Sequence, residues 1–435
     1  MTMTSPSGIF FGIIHVTTNF GLVIMDTGFF VKAFAASPRA VVPGYVIGGI
    51  AYFAIPWALG TLMSSVAWGL QDQPVWPTYP RAMSAQEVSS GLVLPYAAIA
   101  IAGKGGAIAV LLITFMAVTS TLSAQIIAVS SIISFDIYRR YVNRAATDRD
   151  VIRWSHYGVI IFGMIAAAFS TLLYYVGVDL GWTLYMLGVV TCPGIFPTVF
   201  TILWRQQSKL AAIIAPLLGM ATGISVWLGS ASALYGTVSI SSTGQLLPCM
   251  YGCLASTFSP LPYSIIITIF KPQNFDWNDF LTEKLAFGES SPGTSIVEEE
   301  IVDTEQEPTS RSDPRWFPYM RRWTIIAAVW SVATFLGHFV LWPLPMYAAK
   351  YTFSKNFYSA WLVISIIWLW GTLFVAGFYP IIDGRKQIFL IVNSLRGGSK
   401  SSEHRNESTP KGEVSGSSST QDSAVASVSI PFPEK

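Results

Sequence analysis

The sequence predicts an all-α polytopic membrane protein, on three observations. Of 435 residues, 52% are hydrophobic and only 11% are charged, whereas soluble domains carry roughly 25% charged residues. Nine apolar stretches, at roughly 8–32, 41–70, 103–138, 154–178, 181–204, 209–238, 243–270, 323–347 and 357–382, are each long enough to cross a hydrocarbon core, which takes ~20 residues of helix. Between Lys104 and Asp136 there is no charge at all. A net charge of +2 gives no case for nucleic-acid binding. No P-loop, dinucleotide-binding glycine pattern, HExxH or nucleophile elbow is present, so the chain is not read as an enzyme or an ATP-driven pump, and no cofactor is expected.

The first span holds His15, Thr17, Thr18, Asn19, Gly21 and Asp26 at bilayer depth. Asn-Phe-Gly near its middle predicts a broken helix, with unwound backbone lining a cavity. An intramembrane carboxylate is costly against lipid. Asp26 is therefore read either as facing protein or water, or as a helix-end charge near Lys32. His15 reads as a packed, hydrogen-bonded histidine. The N-terminus lacks a basic n-region, so no cleavable signal peptide is expected.

The second span carries Pro43, Gly44, Gly48, Gly49, Pro56 and Gly60, a spacing that suits tight helix packing with a kink. The loop from Gln71 to Ala102 has an apolar second part, Val88 to Ala102, read as a short surface or re-entrant helix.

The central stretch, Gly103 to Tyr138, places Thr114, Ala117, Ser120, Thr121, Ala124, Ala128 and Ser131 on one face at ~100° per residue. Small and hydroxyl residues let helices approach closely and bond across. Alternatively, Ala117, Ser120 and Thr121 present oxygens to a small hard cation. The helix is predicted to stop at Asp136, before Arg139 and Arg140.

Basic residues then set orientation. With the loop after the first span inside, only Arg81, Lys104, Lys350 and Lys355, 4 of 26 Lys and Arg, lie outside. The N-terminus is thus expected outside and the C-terminus in the cytoplasm. The basic loop after the central helix also suits contact with anionic lipid. Pro193 and Pro197 predict a bend. Cys192, Cys249 and Cys253 form no metal set and read as packing residues. Phe275 to Arg315 is polar and acidic, a flexible loop by composition. Ser399 to Lys435 is Ser/Thr-rich, a disordered tail that offers acceptors such as Ser402, Ser408 and Lys411. Four regions follow: a transmembrane core over 1–272, a cytoplasmic acidic loop over 273–318, two C-terminal transmembrane helices over 319–385, and the tail over 386–435.

Several stretches carry a family resemblance: NFGLVIMD at Asn19–Asp26, PTYPRAMSAQEVSSGLVLPYAAIAIAGKGGA at Pro77–Ala107, FMAVTSTLSAQIIAVSSIISFDIYRRY at Phe115–Tyr141, FDWNDF at Phe275–Phe280, and WPLPMYAAKYTFSKNFYSAWLV at Trp342–Val363. The chain resembles the sodium:solute symporter family, and within it the fungal and plant urea active transporters (urea/polyamine symporters). The resemblance runs to about Pro380. It implies a five-plus-five inverted-repeat core with solute and ion at mid-membrane. In that scheme residues 8–32 are the first helix of the second repeat and 103–138 the third, with peripheral helices after them.

By the same resemblance, Ala117, Ser120 and Thr121 are the ion-binding positions, for Na+ or coupling to H+. Asn19, Gly21, Asp26 and Thr27 are the substrate-binding positions, for urea or a related small polar amide or polyamine. The family usually carries Gln after the shared Asp. Thr27 stands there instead and removes a bidentate amide. The first repeat has no counterpart in these residues. Two expectations follow: a symporter whose partner is a missing N-terminal half or a second copy, or a truncated, non-transporting paralogue that serves as an assembly partner or sensor. Plasma membrane is the implied location.

Overall fold

The computed structural model describes residues 2–35, 38–275, 316–385, 388–389 and 391. The acidic loop and the Ser/Thr-rich tail read from the sequence lie almost wholly outside the described residues. The described residues up to Ala376 form one compact unit. Those from Gly377 onward, the end of the last long helix and a short stretch after it, belong to a second.

Among the described residues, nine helical segments are long and apolar enough to cross a membrane: Pro6–Met25, Ala40–Leu70, Val93–Val142, Asp148–Val176, Leu180–Leu203, Lys209–Tyr235, Leu246–Phe270, Phe317–Ala348 and Lys355–Ile382. Each answers to one of the nine apolar stretches. The chain is an all-α, multi-pass membrane protein.

In chain order, α1 is Pro6–Met25, α2 Thr27–Ala35, α3 Pro38–Leu70, α4 Ala85–Ser89 and α5 Val93–Ser131. Then come α6 Asp148–Val176, α7 Leu180–Thr191, α8 Ile195–Leu203, α9 Lys209–Tyr235, α10 Ile240–Thr243, α11 Leu246–Phe258 and α12 Pro260–Phe270. The last are α13 Trp316–Phe335, α14 Pro343–Ala348 and α15 Lys355–Asp383.

Local chemistry places many of the ends. Ser5 caps α1 with Pro6 in its first turn. Thr147 and Asp150 form a reciprocal capping box on α6. Asp179 caps α7 through the Trp182 amide at 2.7 Å. Each cap satisfies an amide that the helix itself leaves open. The proline-rich bend falls where expected: α7 ends at Thr191, a single 3₁₀ turn covers Cys192–Gly194, and α8 follows.

The core lies between α1, α7, α9 and α11. Ile14, Val189, Trp227, Cys249, Met250 and Cys253 are buried together there. Helix α9 shows why these helices come so close. Ala211, Ala215, Gly219, Gly223, Trp227 and Ala231 are its buried positions, nearly all small and four residues apart. A Cβ on Gly223 would lie 2.6 Å from the Cβ of Ser256. Small residues in register let two transmembrane backbones approach and gain dispersion contacts.

Helix α5 differs from its sequence reading at both ends. Helix begins at Val93, and Gly103 breaks it with φ 56° and ψ −133°. Residues 93–102 and 104–131 therefore form a hairpin. A Cβ on Gly106 would sit 2.0 Å from the Ala98 carbonyl oxygen, a close approach that needs glycine. The first limb packs on the end of α3, where Trp76, Ala97 and Ala100 are buried against Met63, Val66 and Leu70. At the other end the helix does not stop at Asp136. It continues as a π-helix over Ile132–Val142, past both arginines. Serine hydroxyls bond back to carbonyls of the same helix here, Ser131 to Ile127 and Ser134 to Ser130. Such back-bonding loosens the regular ladder. Tyr138 stacks on Trp154 of α6 at 4.6 Å between ring centroids, which anchors the wider turn.

Candidate functional site

The first span is broken, five residues later than Asn-Phe-Gly suggests. Helix α1 runs unbroken through Asn19, Phe20 and Gly21 and ends at Met25. Asn19 donates its amide to the carbonyl of His15 at 2.8 Å, so its side chain supports the helix instead of interrupting it. Gly21 is buried, and a Cβ there would lie 2.9 Å from the Cα of Cys192. Its glycine serves close packing on the turn after α7, not unwinding.

The break is at Asp26. Its backbone is extended, with φ −82° and ψ 102°, and its carboxylate Oδ1 accepts the Gly28 amide at 2.8 Å. Asp26 thus ends α1 and caps α2, the usual role of Asp at a helix N-terminus. The second carboxylate oxygen, Oδ2, accepts Nε2 of Gln125 from α5 at 2.8 Å. The two residues are 99 apart in the chain. Lys32 makes no ion pair with Asp26 among the described residues. Asp26 is thus at once a helix end and a residue that faces protein.

Helix α5 receives the break over a single turn. Ala128, one turn beyond Gln125, is 2% exposed, and a Cβ on Gly28 would rest 3.6 Å from it. On the other side, Gly158 of α6 comes so near Ser130 that a Cβ there would lie 3.1 Å from the Ser130 Cα. The stripe of small and hydroxyl residues thus has two parts. From Gln125 to Ser130 it packs against α2 and α6. Ala117, Ser120 and Thr121, one to two turns earlier, are all exposed. Among the described residues neither the Ser120 nor the Thr121 hydroxyl bonds to another group, while their neighbours Thr119 and Ser123 bond back to the helix.

Of the seven predicted site residues, Asp26 and Thr27 lie at the break, with Thr27 exposed at the first position of α2. Ala117, Ser120 and Thr121 share the α5 face that leads to it. Asn19 is exposed on α1 one to two turns before Asp26, and Gly21 is turned into the packing interface. His15 is partly buried, stacked on Phe11 at 3.9 Å and edge-on to Tyr185 at 6.4 Å. Its Nδ1 lies 3.0 Å from the Phe11 carbonyl, the packed and bonded setting read from the sequence. The three cysteines are free and buried. Among the described residues, no group of three or more His, Cys, Asp or Glu could hold a metal ion.

Gln125 is the residue that sequence reasoning passed over. A signal was there: it is the only side-chain amide between Lys104 and Asp136, at a depth where an amide must find a partner.

Chemically, the break offers what a small polar solute needs. The open carbonyls at the end of α1, the first amides of α2 and the remaining acceptor capacity of the Asp26 carboxylate lie together. Two concavities, of about 510 Å³ beside Trp204, Thr268 and Gln273 and about 720 Å³ beside Phe317, Arg321 and Arg322, involve none of these residues.

The break at Asp26 thus joins α1, α2 and α5 through one carboxylate. The family model for the sodium:solute symporter family matches residues 2–219, and the chain belongs to that family. It is 40% identical over 397 residues to "Probable urea active transporter 1" of Schizosaccharomyces pombe, covering 91% of this chain and 57% of that protein. It is 35% identical to "Urea active transporter" of Saccharomyces cerevisiae, covering 91% and 60%. It is 32% identical to "Urea-proton symporter DUR3" of Oryza sativa subsp. japonica, covering 85% and 47%. The chain therefore spans about three fifths or less of the length of these relatives. No solved structure gives a significant match.

Proposed function

We propose that this chain serves secondary active symport of urea or a related small polar amide or polyamine, coupled to Na+ or H+ by alternating access. The observation that carries the reading is Asp26, which caps the second half of a broken membrane helix and faces α5. Asn19, Asp26 and Thr27 contribute to the solute site, with Gly21 setting how closely α1 seats beside it. Ala117, Ser120 and Thr121 supply oxygens to the cation. The fungal and plant relatives named as urea transporters support the solute class, and Thr27 gives this chain a hydroxyl where a longer amide is usual in the family. The family's name points to Na+, and the name of the rice relative points to H+. The family resemblance supports a plasma-membrane location, and the distribution of Lys and Arg supports an N-terminus outside.

Each coupled positive charge gains ~2.3 kcal/mol per 100 mV, enough for about a fiftyfold solute gradient at that voltage. The test is uptake of labelled urea by cells lacking their own urea transporter, with surface protein measured in parallel. Concentrative uptake that requires a Na+ or pH gradient, and that falls at least about tenfold in Ser120→Ala plus Thr121→Ala, is the expected result. Well-expressed surface protein without uptake of urea, amides or polyamines would overturn it.

A further inference from the structure

We propose that Gln125 is the positioning residue that couples the cation helix to the solute helix. This inference rests on the reading of Asp26 and of Ser120 and Thr121 given above. Gln125 lies four residues after Thr121 and eight after Ala117, so all three fall on one face of α5. Its amide is the only side-chain hydrogen bond between α5 and the break in the first span among the described residues. The carboxylate it holds is the residue that ends α1 and starts α2.

Asp26 therefore has one oxygen committed to its own chain, through Gly28, and one to α5. Any shift of the 117–125 segment along or about its axis pulls on Oδ2 while Oδ1 stays with α2. A cation drawing the oxygens of Ala117, Ser120 and Thr121 inward acts on that same segment. The bond makes the orientation of the Asp26 carboxylate, and so the shape of the solute site, depend on the occupancy of the α5 face. An amide suits this post. It donates to an ionised carboxylate through Nε2, and by rotating it accepts from a protonated one through Oε1. No aliphatic or anionic side chain has that property. Ala128, buried against Gly28 one turn further on, keeps the two elements together without fixing the carboxylate. Packing and positioning are thus divided between neighbouring turns.

The experiment uses the full chain in native membranes and reads the reaction rate of Thr27→Cys with a membrane-permeant thiol reagent. The three native cysteines are buried, so labelling reports the new thiol. The rate is measured in Na+ against choline, and at two pH values, in the Gln125 background and with Gln125→Leu. Comparison of the two backgrounds under the same conditions cancels the effect of pH on thiol chemistry. Expected is a cation-dependent change of roughly fivefold or more with Gln125, the low end of ordinary site–site coupling, and none with Gln125→Leu. Gln125→Asn, which keeps the amide but shortens its reach, is expected to behave like Leu, and it replaces Leu if that variant fails to reach the membrane. A structural role alone would change the amount of folded protein and leave the cation response intact. Equal responses in the two backgrounds, or no response with Gln125 present, would overturn the proposal. A response that depends on Gln125 in a protein that takes up no urea would refute the proposed solute and leave the coupling in place.

Discussion

The α1–α7–α9–α11 bundle and the α5–α6 pair are both strongly apolar, the pair more so, yet they use their surfaces in opposite ways. In the span over Leu180–Leu203, 39% of the most apolar window is buried in the chain, and in Val93–Val142 none of it is. The bundle achieves its burial with small residues in register, such as Gly188, Gly219, Gly223 and Gly252, whose missing side chains are filled by neighbouring helices. The second limb of α5 meets α2 and the Gly158 region of α6 within one turn, Gln125 to Ser130, and leaves Ser120 and Thr121 open. Within a membrane, apolarity gives no preference between a lipid tail and a neighbouring helix. Fit and polar pairing decide which faces meet.

That contrast can be broken most sharply with a single carbon. Gly188→Ala would place a Cβ 2.2 Å from the Thr18 hydroxyl and 2.6 Å from the Cys253 sulfur. We expect a loss of roughly 3 kcal/mol, read as a lower unfolding midpoint of the solubilised protein. Gly163→Ala, in α6 with open space around it, is expected to be neutral or to stabilise by up to about 1 kcal/mol through helix propensity. Equal effects at the two sites would mean the contrast in burial has no energetic content.

Next comes a division within α5 itself. Ala128→Leu overfills the packed part of the stripe and should cost about 2 kcal/mol while loosening α2. Ser120→Ala plus Thr121→Ala removes two hydroxyls from the open part. It should change stability by less than about 0.5 kcal/mol while removing cation dependence of uptake. A stability loss as large as that of Ala128→Leu would show that these hydroxyls serve packing instead.

The smallest effect lies in the loop before α5. Arg81 holds Glu87 through two hydrogen bonds of 2.8 Å, and the Ser84 amide adds a third at 2.7 Å. Together they bring the Glu87 pKa down to about 2. A carboxylate with a lowered folded pKa contributes stability that is complete above its unfolded value and lost as pH falls through the folded one. The loop should therefore be insensitive to pH from 7 to about 5 and loosen only toward pH 2. Glu87→Gln imitates the acid form at neutral pH. Trypsin cleavage after Arg81 in intact membranes should rise a few-fold, on the order of one exposed ion pair, with no change at α9 or α11.

Several local features were legible because the chain carries them on its own. Asp26 was visible as a costly charge, and the stripe on α5 as a periodicity. Pro193 and Pro197 announced the bend between α7 and α8. Asn19 and Gly21 misled because Asn and Gly have two uses in a membrane helix. They can unwind backbone, or they can bond to the preceding turn and admit a neighbour. Only the position of the Cys192 turn against Gly21 decides between these uses. The continuation of α5 beyond Asp136 was hidden for a similar reason, since it is anchored by Trp154 of the following helix.

The sequence by itself determined the nine apolar spans found among the described residues and the all-α class. Bilayer thickness and the obligation to satisfy every backbone amide leave an apolar run of that length one structure to adopt. Tertiary structure alone decided that the break falls at Asp26, that Gln125 answers it, and that the α5 stripe divides into a packed turn and an open face. These depend on which helix lies beside which, a contact between residues 99 apart that no local periodicity encodes.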